Sequence, residues 1–127
     1  APVRDERVEA EARAAQARLR ARLTATIGAA EEARRRGDAR QMHARLAEGL
    51  GDLMATQYGL APGALSRATI SARLAEEGVP QPIVERVARL YDHCLEAGYA
   101  PAPADAGAAP VEAAARLFEA LVARAER

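Results

Sequence analysis

The sequence predicts an all-α protein, a single compact bundle of about five helices whose first helix is long. Alanine, leucine, arginine and glutamate dominate the composition, with 34 alanines among 127 residues, and all four are good helix formers. Apolar residues recur at steps of three and four, whereas no strand-length run alternates apolar with polar residues. The 28 larger apolar residues suffice for one modest core, so we expect residues 1–127 to form one helical domain.

The first helix is predicted over residues 4–36. Acidic residues lie near its start and three arginines near its end, which complements the helix dipole at both ends. Its length is unusual for a globular protein, so part of it should project beyond the core. The predicted apolar stripe is Val8, Ala12, Ala15, Leu19, Leu23, Ile27 and Ala30.

The second helix is predicted over residues 39–58. Gly37 is a typical helix stop, and Asp38 followed by Gln41 has the spacing of a capping box. Gly49 and Gly51 weaken this helix but allow a close approach by a neighbour. Its predicted buried face is Met42, Leu46, Leu50, Leu53, Met54 and Tyr58.

A turn and a short helix should follow. Pro62 and Gly63 are in the order that a type II turn prefers, within residues 60–63. Ser66 is the expected cap of a third helix over residues 67–77, which Gly78 ends. Its inner face carries Ile70 and Leu74.

Two further helices complete the bundle. The fourth is predicted over residues 81–97, with Pro82 in its first turn and Gly98 as its stop. A small-residue linker over residues 100–110 precedes a fifth helix that ends near Glu126. The predicted stripes are Val84, Val87, Leu90, Tyr91, Cys94 and Leu95, then Val111, Ala114, Leu117, Phe118, Leu121 and Val122. We expect a core that includes Leu23, Leu46, Leu50, Leu74, Val87, Leu90, Phe118 and Leu121.

Charge argues against a nucleic-acid partner. The chain has 18 arginines, no lysine and 18 acidic residues, without the basic excess that nucleic-acid binding usually requires. Residues 69–90 superficially resemble a helix-turn-helix, but residues 67–96 carry four arginines against five acids. Pro80 and Pro82 would occupy the turn and the start of the reading helix. A small DNA-binding or regulatory protein of this kind is the alternative function.

The sequence offers no catalytic, cofactor-binding or metal-binding constellation. Asp92, His93 and Cys94 are consecutive, and adjacent side chains on a helix diverge, so they cannot hold one ion together. Cys94 lies on an apolar stripe, where free cysteine acts as a small hydrophobe. His43, the only other histidine, has no ligand nearby in sequence. We therefore expect a non-enzyme without metal or cofactor, and no apolar run approaches the length that crosses a bilayer.

Two segments carry a family resemblance. The first segment, residues 33–66, reads ARRRGDARQMHARLAEGLGDLMATQYGLAPGALS. It joins an arginine-rich helix and a Gly-Asp break to a helix that ends at a "YGL–P–ALS/T" turn. The second segment, residues 70–101, reads ISARLAEEGVPQPIVERVARLYDHCLEAGYAP. It adds a "GV-P" turn and a helix that closes with "C-x-x-A-x-Y-A-P". This closing element comprises Cys94, Ala97, Tyr99, Ala100 and Pro101. Over about residues 30–125 the chain resembles the C-terminal cytoplasmic helical region of BatD-type aerotolerance (Bat operon) membrane proteins.

The resemblance implies a setting. In that family a β-rich extracytoplasmic part precedes one transmembrane helix, and a helical tail follows on the cytoplasmic side. Members act beside MoxR-type AAA+ ATPases and von Willebrand A-domain proteins in stress or oxygen tolerance. By resemblance the chain is an excised cytoplasmic tail, tied to a membrane only through a missing transmembrane segment. No catalytic residue comes with the resemblance.

A protein partner is therefore expected, either an AAA+ ATPase or a von Willebrand A-domain protein. The predicted docking surface is the charged face of the first helix, because the planar guanidinium of arginine pairs bidentately with carboxylates. The residues are Arg18, Arg22, Arg34, Arg35 and Arg36. The alternative for the last three is that they complement the dipole at a helix end.

Overall fold

The computed structural model describes residues 2–99 and 107–127, with the side chains of residues 5–98 and 107–127. Helices α1 (Pro2–Arg35), α2 (Ala39–Tyr58), α3 (Arg67–Glu76), α4 (Gln81–Tyr99) and α5 (Ala109–Ala125) follow in order, with a short 3₁₀ turn at Pro62–Ala64. These described ranges contain no strand, so the all-α prediction with a long first helix is confirmed. Most of the predicted linker, residues 100–106, lies outside the described residues.

Helix ends follow the backbone of the glycines. Gly37, Gly59 and Gly78 take the left-handed conformation, with φ of 75°, 66° and 77°, and each follows the end of a helix. Gly98 was predicted to end α4 and does not, because its φ is not positive and α4 continues to Tyr99. The three glycines at helix ends thus differ from Gly98 in taking the left-handed conformation that commonly terminates a helix.

The turn after α2 differs from the predicted type II turn. Gly63 has no positive φ, which a type II turn requires at that position. The chain instead forms a 3₁₀ turn, in which Ala64 N–H donates to the Ala61 carbonyl at 2.9 Å. Pro62 favours this turn because its ring fixes φ near the helical value.

Capping residues begin two of the helices. The Asp38 carboxylate accepts the Gln41 backbone N–H at 3.0 Å. The reciprocal half of the predicted capping box is missing, because the Asp38 N–H donates to Ala33 O at 2.9 Å. The complete box lies at α3, where the Ser66 N–H donates to Thr69 Oγ1 at 2.9 Å and the Thr69 N–H to Ser66 Oγ at 3.1 Å.

Helix α2 lies at the centre of the bundle and packs against each of the other four helices. It runs antiparallel to α1, since Gln16 donates to Gln57 at 2.8 Å and Arg22 pairs with Asp52. Gln57 in turn donates to the Leu121 carbonyl at 2.6 Å, which joins α1, α2 and α5. All eight predicted core residues are buried, and they belong to one apolar cluster.

The first half of α1 projects beyond this cluster. Every side chain from Asp5 to Ala14 is exposed, including Val8 at 59%. The apolar stripe predicted for α1 therefore includes two exposed residues, Val8 and Ala12, because helical periodicity continues past the point where α1 leaves the bundle. Leu95 on α4 is a similar case at 39% exposure. The expected projection of part of α1 is confirmed.

Candidate functional site

A groove of about 870 Å³ runs between α4 and α5. We call it the α4–α5 groove. Leu90 and Leu117 form its buried floor, and Ile83, Ala113 and Ala120 are half-buried along it. These positions recur at three, four or seven residues, which places them on one face of each helix. The alanines of α5 leave room that larger side chains would fill.

Three arginines line the α4–α5 groove without a charge partner. Arg86 and Arg89 lie one turn apart on α4, and Arg116 lies on α5. All three are exposed, and none forms an ion pair with any residue for which the structure gives a side chain. The acids of the groove are Asp92, which already pairs with Arg67, and Glu96. The uncompensated charge of the groove is therefore positive.

Arg22, one of the predicted docking residues, is engaged within the bundle. Its Nε lies 2.8 Å from Asp52 Oδ2 and its Nη2 lies 2.9 Å from Asp52 Oδ1, a bidentate pair between α1 and α2. The hydrogen bond from Arg22 lowers the pKa of Asp52 below its ordinary value. Arg22 thus holds α1 against α2.

The arginine run at the end of α1 pairs with acids one turn earlier. Arg34 Nε donates to Glu31 Oε2 at 2.9 Å, and this contact lowers the pKa of Glu31. Arg35 lies 3.5 Å from the same carboxylate, and Arg36 lies 3.9 Å from Glu32.

Arg18 is the remaining predicted docking residue. It is exposed and has no ion pair with the side chains that the structure describes. It lies sixteen positions before Arg34, about 24 Å along the helix axis. The predicted arginines therefore do not converge on one spot, and four of the five already contact carboxylates.

The structure brings the two histidines together, which the sequence did not indicate. His43 on α2 is only 1% exposed, and its Nδ1 lies 2.7 Å from the Ala39 carbonyl oxygen. Its ring contacts that of His93 on α4 edge-on, with centroids 4.8 Å apart. His43 Nε2 is buried and has no hydrogen-bond partner among the residues that the structure describes. Burial, opposed by the Ala39 bond and assisted by His93, lowers the pKa of His43.

A signal for the burial of His43 was present in the sequence. His43 lies four residues after the buried Ala39 and three before the buried Leu46, so it continues the α2 stripe. Its proximity to His93 depends on how α2 and α4 pack, which periodicity within one helix does not specify.

Asp92, His93 and Cys94 point in different directions, as predicted. Asp92 pairs with Arg67, His93 contacts His43, and Cys94 is buried at 7% exposure. Burial raises the pKa of the Cys94 thiol to about 11, so it stays protonated at neutral pH. Over residues 5–98 and 107–127, no group of three or more His, Cys, Asp or Glu side chains is arranged to hold a metal ion.

Comparisons with protein-family models, curated proteins and solved structures found no match to the chain. The resemblance to BatD-type proteins stays a prediction from the quoted motifs, of which Ala100 and Pro101 lie outside the described residues. Among the helices described, none combines the length and the apolar character that a membrane span requires.

Proposed function

We propose that this chain is a non-catalytic helical protein-interaction domain that docks its partner in the α4–α5 groove. One observation carries the proposal: the groove combines buried and half-buried apolar residues with three arginines that lack ion pairs in the described structure. Apolar anchors surrounded by arginine are typical of the energetically important centre of protein interfaces. The arginines of α1 are the rival surface.

Two observations support a role without catalysis. The Cys94 thiol is protonated at neutral pH, and His43 is shielded from solvent by the core, so neither group is available for nucleophilic or acid–base chemistry. Both side chains instead contribute to the packing between helices.

We propose the cellular setting that the motifs imply. The domain acts as the cytoplasmic tail of a membrane-anchored, BatD-like protein. Its partner is a MoxR-type AAA+ ATPase or a von Willebrand A-domain protein, and the assembly serves stress or oxygen tolerance. The support for this setting is the resemblance of residues 33–66 and 70–101.

Site-specific photo-crosslinking in the source cells tests the docking surface. A photoreactive residue replaces Ala113 in the α4–α5 groove, Arg35 on the rival α1 surface, or the exposed Ala47 on α2 as a control. We expect a protein adduct from position 113 and none from position 47, with circular dichroism confirming that each variant is helical. Mass spectrometry of the adduct tests the ATPase and A-domain candidates.

The three positions separate the alternatives. An adduct from position 35 but not from position 113 would move the docking surface to α1. Adducts from neither position would remove the interaction function. An adduct from position 113 with an unrelated protein would retain the function and remove the BatD-like setting.

A further inference from the structure

The geometry points to one kind of occupant for the α4–α5 groove: an acidic amphipathic helix of a partner protein. This inference rests on the proposed function, since it specifies what the docking surface binds. It is carried by the length of the groove, the spacing of its apolar floor and the arrangement of its arginines.

The groove has the length of a short helix. Its lining runs from Ile83 to Glu96 on α4 and from Pro110 to Ala120 on α5. At 1.5 Å per residue these stretches span about 20 Å and about 15 Å. A helix of about 10 to 13 residues would therefore fill the groove from end to end.

The floor offers apolar contacts at a helical repeat. Ile83 and Leu90 are seven residues apart on α4, as are Pro110 and Leu117 on α5. A partner helix with apolar residues at i, i+3 and i+7 presents anchors at the same spacing, which is the usual mode of helix-in-groove recognition. The small side chains of Ala113 and Ala120 allow its backbone to approach α5 closely.

The arginines select an acidic partner. Two arginines of α1 pair with acids of other elements, Arg22 with Asp52 and Arg20 with Glu126. Arg86, Arg89 and Arg116 flank the apolar floor and form no ion pair with the side chains that the structure describes. Carboxylates along both edges of a bound helix would meet guanidinium groups from α4 and α5, and each pair would form charge-assisted hydrogen bonds.

The same groove is poorly suited to a nucleic-acid backbone. The floor between the arginines is apolar, whereas a phosphate backbone is bound through closely spaced cationic and polar groups. An amphipathic helix matches both the charge and the apolar floor.

Fluorescence anisotropy with two labelled peptides tests the inference. One peptide of about 13 residues has leucines at i, i+3 and i+7 and glutamates on its polar face; the second has lysine in place of every glutamate. We expect the glutamate peptide to bind the full chain about tenfold more tightly than the lysine peptide at low salt. The variant R86E/R89E/R116E should reverse that order.

Two further variants locate the binding. R7E/R13E/R18E makes the same charge change at exposed positions of α1 and should leave the preference for the glutamate peptide intact. Ala113→Trp fills the α4–α5 groove without altering charge and should weaken glutamate-peptide binding about tenfold, since the floor is then blocked.

Four results would overturn the inference. The first two are no binding of the glutamate peptide up to about 1 mM and equal binding of the two peptides. The others are loss of the preference for glutamate in R7E/R13E/R18E alone, and displacement of the glutamate peptide by a short DNA duplex. The photo-crosslink from position 113 distinguishes failure of this inference from failure of the proposed docking function. If R86E/R89E/R116E still gives the protein adduct from position 113, the groove is a docking surface but its occupant is not an acidic helix.

Discussion

Gly49 of α2 lies directly against the ring of Phe118 of α5. A Cβ atom built at Gly49 would lie 2.8 Å from Phe118 Cε2 and 3.2 Å from Thr26 Cγ2 of α1. Three helices therefore meet at a point where only glycine leaves enough room. The prediction that Gly49 allows a close approach by a neighbour is confirmed, because an added Cβ would be closer to Phe118 than an ordinary van der Waals distance.

We predict that Gly49→Ala destabilises the protein. Alanine has the better helix propensity by about 1 kcal/mol, but overpacking a core contact costs about 1 to 3 kcal/mol. Because Phe118 is itself only 3% exposed, its ring cannot move aside freely. We expect a net loss of up to about 2 kcal/mol in the free energy of unfolding, measured by urea denaturation.

Gly51→Ala is the matched control on the same helix. A Cβ there would lie 3.7 Å from Leu65 Cδ1, an ordinary contact, so helix propensity should dominate. We expect a gain of about 0.5 to 1 kcal/mol. Equal stability changes in the two variants would show that the contact with Phe118 does not limit the packing of α2.

The fold could largely be predicted from the sequence because its signals are local. Leu46, Leu50 and Leu53 repeat at helical spacing, and the predicted bounds of α2, residues 39–58, agree with the observed helix. The errors arose where the tertiary structure decides. Val8 has the right spacing for the core, but α1 has already left the bundle at that point.

The candidate site could not be predicted in the same way. Each arginine of α1 was visible in the sequence, but the sequence alone does not show that Arg22 faces Asp52 on another helix. The α4–α5 groove likewise depends on the packing between two helices that are separated by a linker. Arg86 and Arg116 become a shared feature only when α4 and α5 lie side by side.

We predict that stability falls as the pH decreases below about 6.5, owing to His43. Burial, the first cause, lowers the pKa of folded His43 below the ordinary value of 6.5. The unfolded chain therefore takes up a proton at a higher pH than the folded chain does. The stabilising contribution is fully present above the unfolded pKa and is lost as the pH falls towards the folded pKa, with a slope of at most about 1.4 kcal/mol per pH unit.

Denaturation curves measured between pH 7.5 and pH 5 test this effect. This window is about two and a half pH units wide and lies above the usual pKa range of carboxylates. His43→Leu removes the titrating ring and the unpaired Nε2 and should flatten the profile. His93→Gln changes the exposed partner ring and should preserve the slope. A flat profile in the unaltered protein, or an unchanged slope in His43→Leu, would contradict the assignment.

We predict that Leu90→Ala costs about 2 to 5 kcal/mol of stability, as expected for a buried leucine whose removal leaves a cavity. Leu90 is 8% exposed, whereas Leu95 on the same helix is 39% exposed. Leu95→Ala should therefore cost less than about 1 kcal/mol. Similar losses in both variants would place Leu95 in a contact that the described residues do not show.

We predict that Arg22 and Asp52 are coupled within the folded chain and that Arg22 is not a docking residue. A double-mutant cycle with Arg22→Ala and Asp52→Ala should give a coupling energy of about 0.5 to 1 kcal/mol, because the pair is bidentate but partly exposed to solvent. The coupling should weaken as salt is added. The Arg45–Glu48 pair within α2, at 2.9 Å, is the control and should give only about 0.2 to 0.5 kcal/mol.

Arg22→Ala should also leave the affinity of the glutamate peptide unchanged. Zero coupling together with weakened peptide binding would show that Arg22 serves a partner, and would return the docking surface to α1.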